Sequence, residues 1–508
     1  MPWHPFLLTT AFLVNPLLVS GVEPVVGARA FGVALVGMAG LLAVGRVITG
    51  SWQRAGLAAT AVGALLATKS WILPLAIALP RAHVLAAAVI CAAALAAVYL
   101  AGRLVRRSLQ RRGGDARATS ALNVFCAILL ALVVSGGSSA LGRARAAHVP
   151  PQAVAPPRAS GPDIYILLMD GYPRADVLRD TWGYDNSPFL SALEQRGFSI
   201  AQASRANYLT TRLTFASMLN MRHAHRLAGY RAIQEGAPTQ PTLQHMIRNN
   251  LVLSQLRAAD YRVTATAPGI EVVSLRAVDR WEEGPQLNEF EYRVLETTWA
   301  ADLLRLFAPD YLASEHRARV RYGFDVIRRA AATYGRDGTS DLVWAHIPSP
   351  HMPPVFGPEG APIPVSHRAD FFDDSGAGRD VDSPEFAEAF RGNVTYLNAL
   401  ILEAIDAILA SSTPQPVVIV MSDHGTGREM NYDDMRRTDI RSRAGTLFAA
   451  LTPSRPGLFG DEITPVNVFA ILFNAYLGTH HPLSPNTTYI ATPGGLQPAV
   501  PDEGGDVE

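Results

Sequence analysis

The stretch DIYILLMDG, residues 163–171, decides the fold. Its six consecutive apolar side chains predict a strand buried on both faces, because a half-exposed strand would alternate apolar and polar residues. The run ends in Asp170 and Gly171, a pair that favours a turn. Two further runs have the same form, LVWAHI at 342–347 and VVIVMS at 417–422. The three runs predict three buried strands.

Helical patterns lie between these strands, at residues 187–195, 243–258 and 383–410. Ser383 is a suitable N-cap for the last of them, because its hydroxyl can accept from a free backbone N–H of the first turn. Strands that alternate with helices predict a mainly parallel sheet covered by helices on both faces. The fold class is therefore α/β.

Five apolar stretches precede this region, near residues 5–22, 29–49, 55–79, 82–102 and 119–141. Each carries few charges and is long enough to cross ~30 Å of hydrocarbon. Lys69 and Pro74 interrupt the third stretch, so its extent is the least defined. A cleaved signal peptide would explain one stretch and not five. The sequence predicts a bundle of about five transmembrane helices over residues 1–142.

Six arginines crowd one short loop between the fourth and fifth stretches: Arg103, Arg106, Arg107, Arg111, Arg112 and Arg117. Because basic loops stay in the cytoplasm, the fifth span should carry the chain outward. Residues 143–160, rich in Pro and Ala, then predict a linker. A globular domain at 161–485 should follow, outside the cytoplasm, and a loose tail at 486–508.

The charges are unevenly divided. The chain has 44 basic and 44 acidic residues, but only two acids lie before residue 146, Glu23 and Asp115, against 13 basic residues. The globular part is therefore acidic, which argues against nucleic acid as a partner. Both cysteines, Cys91 and Cys126, lie in apolar N-terminal stretches. The globular part can form neither a disulfide nor a thiolate metal site.

Metal-binding types of side chain accompany all three predicted strands. Asp170 ends the first, His346 lies in the second with His351 five residues later, and Asp423 and His424 follow the third. The carboxyl ends of parallel strands meet at one edge of the sheet, where ligands bind. Carboxylate oxygen and imidazole nitrogen suit a divalent ion such as zinc or manganese. Taken singly, each residue could also belong to an ordinary turn or polar loop.

The segment NYLTTRLTFASMLNM, residues 207–221, predicts a helix with Thr210, Thr211 and Thr214 in its first turn. A threonine there can simply cap the helix. It can also be a nucleophile, because the helix N-terminus binds oxyanions and a neighbouring metal lowers the pKa of a hydroxyl. The local sequence leaves both interpretations open.

Several segments together resemble one family: DIYILLMDGYPRADVL, NYLTTRLTFASMLNM, HIPSPHMPPVF, VIVMSDHG and TPVNVFAILFNAYLG. They are similar to successive blocks of membrane-anchored sulfatase-like proteins of the alkaline phosphatase superfamily. The overall plan resembles that of lipoteichoic acid synthases and phosphoethanolamine transferases, which have five spans followed by an external domain.

The resemblance implies one divalent metal ion (Mn, Zn, Mg or Ca), and a site with two metal ions is the alternative. It assigns the metal to four residues, Asp170, Thr211, Asp423 and His424. The same resemblance makes Thr211 the nucleophile, although the neighbouring Thr210 is a rival. It further implies that His346 and His351 bind the charged group of the substrate or a second metal.

The implied function is that of a metal-dependent phosphotransferase or phosphodiesterase in the bacterial inner membrane. Its substrate would be lipid-linked or a cell-envelope glycan, presented at the membrane surface. The C/S-x-P-x-R motif of formylglycine sulfatases is absent from the sequence, which disfavours sulfate-ester hydrolysis. Two alternatives remain, a hydrolase with the same site and a catalytically silent membrane module that binds envelope polymer.

Overall fold

The computed structural model describes residues 1–20, 23–69, 114–146, 161–235, 239–333, 338–365, 370–372, 381–431, 434–492 and 495–499. The chain divides into two compact units. The first unit contains Met1–Arg143 together with Asn288–Pro309, and the second contains Ala144–Leu287 together with Asp310–Glu508. Residues 288–309 thus belong with the N-terminal helices, although they lie within the range predicted for the globular domain, 161–485.

The helices are, in chain order, α1 His4–Ser20, α2 Pro24–Thr49, α3 Trp52–Ala67, α4 Gly114–Ala146, α5 Ala175–Trp182, α6 Ser187–Gln195, α7 Thr211–Met218, α8 Ala228–Gln234, α9 Thr239–Arg248, α10 Leu251–Ala258, α11 Glu289–Glu296, α12 Trp299–Phe307, α13 Tyr311–Thr333, α14 Pro384–Ser411, α15 Ile440–Ala444 and α16 Pro465–Tyr476. The strands are β1 Ile164–Asp170, β2 Ser199–Ile200, β3 Arg262–Thr266, β4 Arg280–Glu282, β5 Asp341–Pro350, β6 Val417–Ser422, β7 Phe448–Leu451, β8 Tyr489–Thr492 and β9 Gly495–Pro498.

Among the described residues of the first unit, two helices, α2 and the part of α4 at Gly114–Gly136, are long and apolar enough to cross a membrane. Only 11% of the most apolar window of each is buried, so their apolar side chains face outward. An outward-facing apolar surface is stable in lipid and unfavourable in water. Helix α1 is apolar but shorter. The predicted span at 82–102 and the end of the span at 55–79 lie outside the described residues.

Helix α14 is the third helix that is long and apolar enough to cross a membrane, but it belongs to the second unit. In its most apolar window 44% of the residues are buried, and it packs against α13 and β5. It is therefore a core helix of the globular unit. The Oγ of Ser383 accepts a hydrogen bond from Phe386 N at 3.2 Å, which confirms the predicted N-cap.

The second unit contains a seven-stranded sheet with the order β2-β7-β6-β1-β5-β3-β4. Strands β6, β1, β5, β3 and β4 are parallel, while β7 runs antiparallel to β6 and β2 antiparallel to β7. The predicted mainly parallel sheet is confirmed. All seven residues of the central strand β1 are buried. Alternate side chains of β1, Ile164, Ile166 and Leu168, join a core cluster with α7, α9, α10 and α16.

Two local predictions, both of helices, were wrong. The helix predicted at 243–258 is two helices, α9 and α10, because the side chain of Asn250 accepts from Leu253 N at 2.7 Å and caps a new helix. The helix predicted across 207–221 spans only α7. The tail predicted from residue 486 contains the antiparallel pair β8 and β9. Residues 500–508 lie outside the described part of the chain.

Candidate metal centre

Three neighbouring parallel strands bring the predicted metal ligands to one edge of the sheet. Strand β1 lies between β5 and β6, with Met169 beside Ser422 and Leu168 beside His346. Asp170 is therefore at the end of β1, next to the residues that follow β6. The sequence expectation that these strand ends meet is confirmed.

Two glycines allow the backbone to turn sharply at this edge. Gly171 has φ +71°, a left-handed conformation that side chains rarely permit. Its N–H donates to Oδ1 of Asp423 at 3.1 Å. At Gly425 the restriction is space, since a Cβ there would lie 2.2 Å from the carbonyl oxygen of Ser442. Both turns therefore require the glycine that follows the ligand.

Asp170, Asp423 and His424 each offer a ligand atom, and these atoms lie within 4.8 Å of one another. The Nε2 of His424 is 3.5 Å from Oδ1 of Asp170 and 3.3 Å from Oδ2 of Asp423. The hydroxyl of Thr211 lies 3.1 Å from the same nitrogen. Asp170, Asp423 and His424 are at most 2% exposed. Four potential donors thus converge on one buried point.

The orientation of His424 has an electrostatic consequence. Its Nδ1 is 2.9 Å from the carbonyl oxygen of Gly425, so Nδ1 must carry the proton and donate it. In the neutral ring, Nε2 then presents a lone pair to the two carboxylates. Lone pairs that face carboxylate oxygens repel one another unless a cation lies between them. A backbone acceptor on the far nitrogen is also how metal-bound histidines are commonly oriented.

The carboxylates themselves fit a cation. Both oxygens of Asp170 and Oδ2 of Asp423 are buried without a hydrogen-bond partner. Unpaired buried charge is costly, so these oxygens have the character of cation ligands. Donors bound to a tetrahedral ion at ~2.0–2.1 Å stand about 3.3–3.4 Å from each other. The separations of 3.1, 3.3 and 3.5 Å around His424 Nε2 match this spacing.

Thr211 is the first residue of α7, and Thr210 is its N-cap residue. The side chain of Thr210 makes no capping hydrogen bond, whereas the hydroxyl of Thr211 faces His424. Farther along the first turn, Thr214 Oγ1 lies 3.2 Å from the carbonyl oxygen of Asp423 and 3.3 Å from that of Tyr208. This contact ties the start of α7 to the backbone of a candidate ligand.

Histidines surround Asp170 and keep it ionised. Burial by itself would raise the pKa of Asp170, but His351, His346 and His424, when their rings are protonated, lower that pKa to about 2. The closest approach of His346 is 3.3 Å, between its Nε2 and Oδ2 of Asp170. Both predicted substrate-binding histidines are therefore near enough to act on the candidate metal ligand.

No family model matches this sequence, and no curated protein matches it. Among solved structures, the chain is similar to the C-terminal periplasmic domain of EptC from Escherichia coli in complex with Zn, at 10% identity and a TM-score of 0.43 over 69% of this chain and 97% of that one. It is also similar to the integral membrane protein lipooligosaccharide phosphoethanolamine transferase A from Neisseria meningitidis, at 12% identity and 0.42 over 77% and 69%.

A third similar structure is the 2-O GAG sulfatase BT1596, at 13% identity and a TM-score of 0.40 over 63% of this chain and 72% of that one.

Sequence reasoning missed His316, which lies on α13 and is 2% exposed. Burial lowers its pKa well below the usual value, as do the charges of Arg319 and His351, so the ring is neutral. Its Nδ1 is buried without a hydrogen-bond partner, and its ring stacks on Phe371 with centroids 5.0 Å apart. Nothing in the sequence of an amphipathic helix indicates that one of its histidines is buried near His351.

Arg443 was also missed. It is 3% exposed, and its Nε donates to the carbonyl oxygen of Leu209 at 2.9 Å. Its Nη1 donates to the carbonyl oxygen of Gly425 at 3.2 Å. Arg443 thus joins the loop before α7 to the loop that orients His424. It is a positioning residue, and nothing in the local sequence RSRAG distinguishes it from a surface arginine.

Proposed function

We propose that this chain is a metal-dependent phosphotransferase or phosphodiesterase in which Thr211 is the nucleophile. The observation that carries the proposal is the convergence of three unpartnered carboxylate oxygens and the Nε2 of His424 beside the hydroxyl of Thr211. A structural role alone does not explain buried carboxylates that lack partners.

Asp170, Asp423 and His424 would hold one divalent ion, with Thr211 completing the set of donors. The histidine nitrogen favours zinc or manganese over calcium and magnesium, which prefer oxygen ligands. When bound, the ion would lower the pKa of the threonine hydroxyl and stabilise negative charge developing on the phosphoryl group. His424 keeps its Nε2 free for this purpose by donating Nδ1–H to Gly425.

In the proposed reaction, Oγ1 of Thr211 attacks the phosphorus of a phosphodiester. The bond from phosphorus to one alkoxy group breaks, and the departing alcohol takes up the proton that Thr211 loses. The phosphoryl group is then an ester of Thr211. A second hydroxyl, from an acceptor or from water, attacks the same phosphorus and returns the threonine to its starting form. An acceptor alcohol makes the chain a transferase, and water makes it a hydrolase.

His346 and His351 would bind the charged group of the substrate. The support for this role is that both histidines lie close to Asp170. His346 also has a buried Nδ1 without a hydrogen-bond partner. A second metal ion at these histidines is the other arrangement that their chemistry permits.

The substrate would be lipid-linked or part of the cell envelope, and the site would lie outside the cytoplasm of a bacterial inner membrane. The arginine-rich stretch at 103–117 and the outward-facing apolar helices support this topology. A reporter enzyme active only outside the cytoplasm should be active when fused after residue 150 and inactive when fused after Gly113. The reverse pattern would refute the proposed location.

Mass spectrometry tests the nucleophile directly. The full chain is loaded with zinc or manganese and mixed with bis(p-nitrophenyl) phosphate, a generic phosphodiester. The expected result is release of p-nitrophenol and a phosphoryl adduct on the peptide that contains Thr211. Thr211→Ala should abolish both signals, and Thr211→Ser should retain part of them because the hydroxyl remains.

Thr210→Ala is the matched control, since it removes the adjacent hydroxyl, which makes no capping hydrogen bond. It should leave turnover within about twofold of the wild type, because Thr210 is not one of the residues found within 3.5 Å of His424 Nε2. An adduct on Thr210, or full turnover by Thr211→Ala, would show that the nucleophile is misassigned. Absence of turnover and adduct with every metal tried would favour the silent membrane module.

A further inference from the structure

The segment Asn288–Pro309 is a helical hairpin, α11 and α12, that belongs to the first unit although the chain on both sides of it belongs to the second. Its contacts lie at one end of the apolar helices. Phe290 packs in a buried cluster with Leu17, near the end of α1, and Val26, near the start of α2. The hairpin therefore lies where α1 ends and α2 begins.

Polar contacts hold the hairpin in the same place. The guanidinium of Arg29 in α2 pairs with both carboxylate oxygens of Glu291 in α11. Lys69, just after α3, donates to Oδ2 of Asp302 in α12 at 2.7 Å. The indole Nε1 of Trp299 donates to Oγ1 of Thr68 at 2.9 Å.

These pairs neutralise the cations that flank the apolar helices. Lys69 is only 8% exposed, and its charge would be costly next to hydrocarbon without Asp302. The lysine that interrupts the third apolar stretch of the sequence is thus an anchor for the hairpin. Trp299 has the character of a membrane-interface residue, with an apolar ring and a satisfied N–H group.

One face of α12 is apolar and exposed. This face contains Trp299, Leu303, Leu306 and Phe307. The last three follow Trp299 by four, seven and eight residues. Their exposed fractions are 38%, 50%, 71% and 81%. Side chains at this spacing share one side of a helix. Phe307 and Leu306 are among the most exposed large apolar residues of the described chain.

We propose that this face of α12 lies in the interfacial layer of the bilayer that the N-terminal helices cross. The occupant is lipid because the face belongs to the same unit as helices whose own apolar surfaces already require lipid. The hairpin sits at an end of those helices, at the depth where amphipathic helices insert. The proposal rests on the first unit alone and is independent of the chemistry proposed for the second.

The test uses the full chain in nanodiscs of phosphatidylethanolamine and phosphatidylglycerol, with Cys91 and Cys126 replaced by serine. A polarity-sensitive fluorophore is attached at Phe307→Cys. The matched control is Leu483→Cys, because Leu483 is 58% exposed and lies in the globular unit. Nitroxide-labelled lipids and aqueous iodide are the two quenchers, and both faces of a nanodisc are open to iodide.

The expected result is blue-shifted emission at position 307, strong quenching by the lipid nitroxide and protection from iodide. Position 483 should show the opposite pattern. Quenching of position 307 by iodide, as at position 483, would overturn the proposal because the face would be in water. Protection from both quenchers would overturn it as well, because a protein surface, from this chain or a second copy, would then cover the face.

Discussion

Two buried aspartates, at opposite ends of two adjacent parallel strands, have different surroundings. Asp341 begins β5, and Asp170 ends β1, the adjacent strand. Both are 0% exposed. The oxygens of Asp341 receive hydrogen bonds from Nε and Nη2 of Arg262 at 2.6 and 2.7 Å. The oxygens of Asp170 have no hydrogen-bond partner, and the Nε2 atoms of His346 and His424 lie 3.3 and 3.5 Å from them.

The difference separates a charge that the protein itself compensates from one whose surroundings suit a cation. A buried carboxylate costs several kcal/mol unless a partner compensates it. At the amino edge of the sheet, the protein supplies that partner as Arg262. At the carboxyl edge, it supplies more carboxylate and histidine donors, which a divalent cation would satisfy. Each of the following experiments tests whether the two edges differ in this way.

The largest effect is expected for Asp170→Asn. The amide keeps the shape of the side chain but removes one negative charge from the candidate metal site. Turnover of a phosphodiester should fall on the order of 10³-fold or more, because stabilisation of the transition-state charge is lost. Elemental analysis should show that most bound metal is lost as well. Unchanged metal content and turnover would mean that the unpaired oxygens do not serve a cation.

The corresponding change at the other edge, Asp341→Asn, should affect stability and not chemistry. It leaves the guanidinium of Arg262 without its charged partner, at a cost of about 3 kcal/mol in the free energy of unfolding. The melting temperature should fall by several degrees, while turnover per folded molecule stays at the wild-type value.

The control for that experiment is Glu403→Gln. Glu403 is 3.9 Å from Arg328 in an exposed ion pair, with 64% of the glutamate side chain exposed. Its loss should change the free energy of unfolding by less than about 1 kcal/mol. An equal loss of stability in both variants would show that burial of Asp341 is not what makes its ion pair important.

Removal of the metal should distinguish Asp170→Asn from Asp341→Asn. Ligand binding to the folded state stabilises it by about 2.7 kcal/mol when the free metal is 100 times its dissociation constant. A chelator should therefore lower the melting temperature of the wild type and of Asp341→Asn by the same amount. It should leave Asp170→Asn unchanged, since that variant holds little metal. A chelator-dependent shift in Asp170→Asn equal to that of the wild type would contradict this.

The smallest effect is expected for Thr214→Val, which removes the hydroxyl that contacts the backbone of Asp423. Loss of a group that orients a metal ligand should reduce metal affinity or turnover about tenfold. Ser217→Ala is the control on the same helix, because its hydroxyl donates to Arg222 O at 2.8 Å and has no role at the metal site. Equal losses in both variants would indicate a general effect on α7.

Much of the fold follows from local pattern. The three apolar runs are strands β1, β5 and β6 within a few residues of the predicted limits. The meeting of Asp170, Asp423 and His424 also followed, because parallel strands bring their carboxyl ends to one edge. Boundaries within helical regions were less predictable. The chain ends a helix at Arg248 and caps a new one with Asn250 inside an unbroken apolar pattern.

Other parts of the site depend on residues far apart in sequence. Arg443 lies 234 positions from the carbonyl of Leu209 that it binds. His316 comes from a helix whose pattern indicates only burial on one side. Local periodicity describes which face of an element is buried, but it does not state what the facing element supplies. Neither residue could therefore be assigned from the sequence.

The sequence by itself determined the buried strands, the apolar N-terminal helices and the chemistry placed at the strand ends, because short-range hydrophobic pattern encodes these features. Only the tertiary structure decided that Asp341 is neutralised by Arg262 while the oxygens of Asp170 remain unpaired. It also decided that the hairpin at 288–309 joins the first unit, through pairs such as Lys69 with Asp302, 233 positions apart. The physical reason is that compensation of a buried charge depends on which distant side chain reaches it, and the fold alone sets that distance.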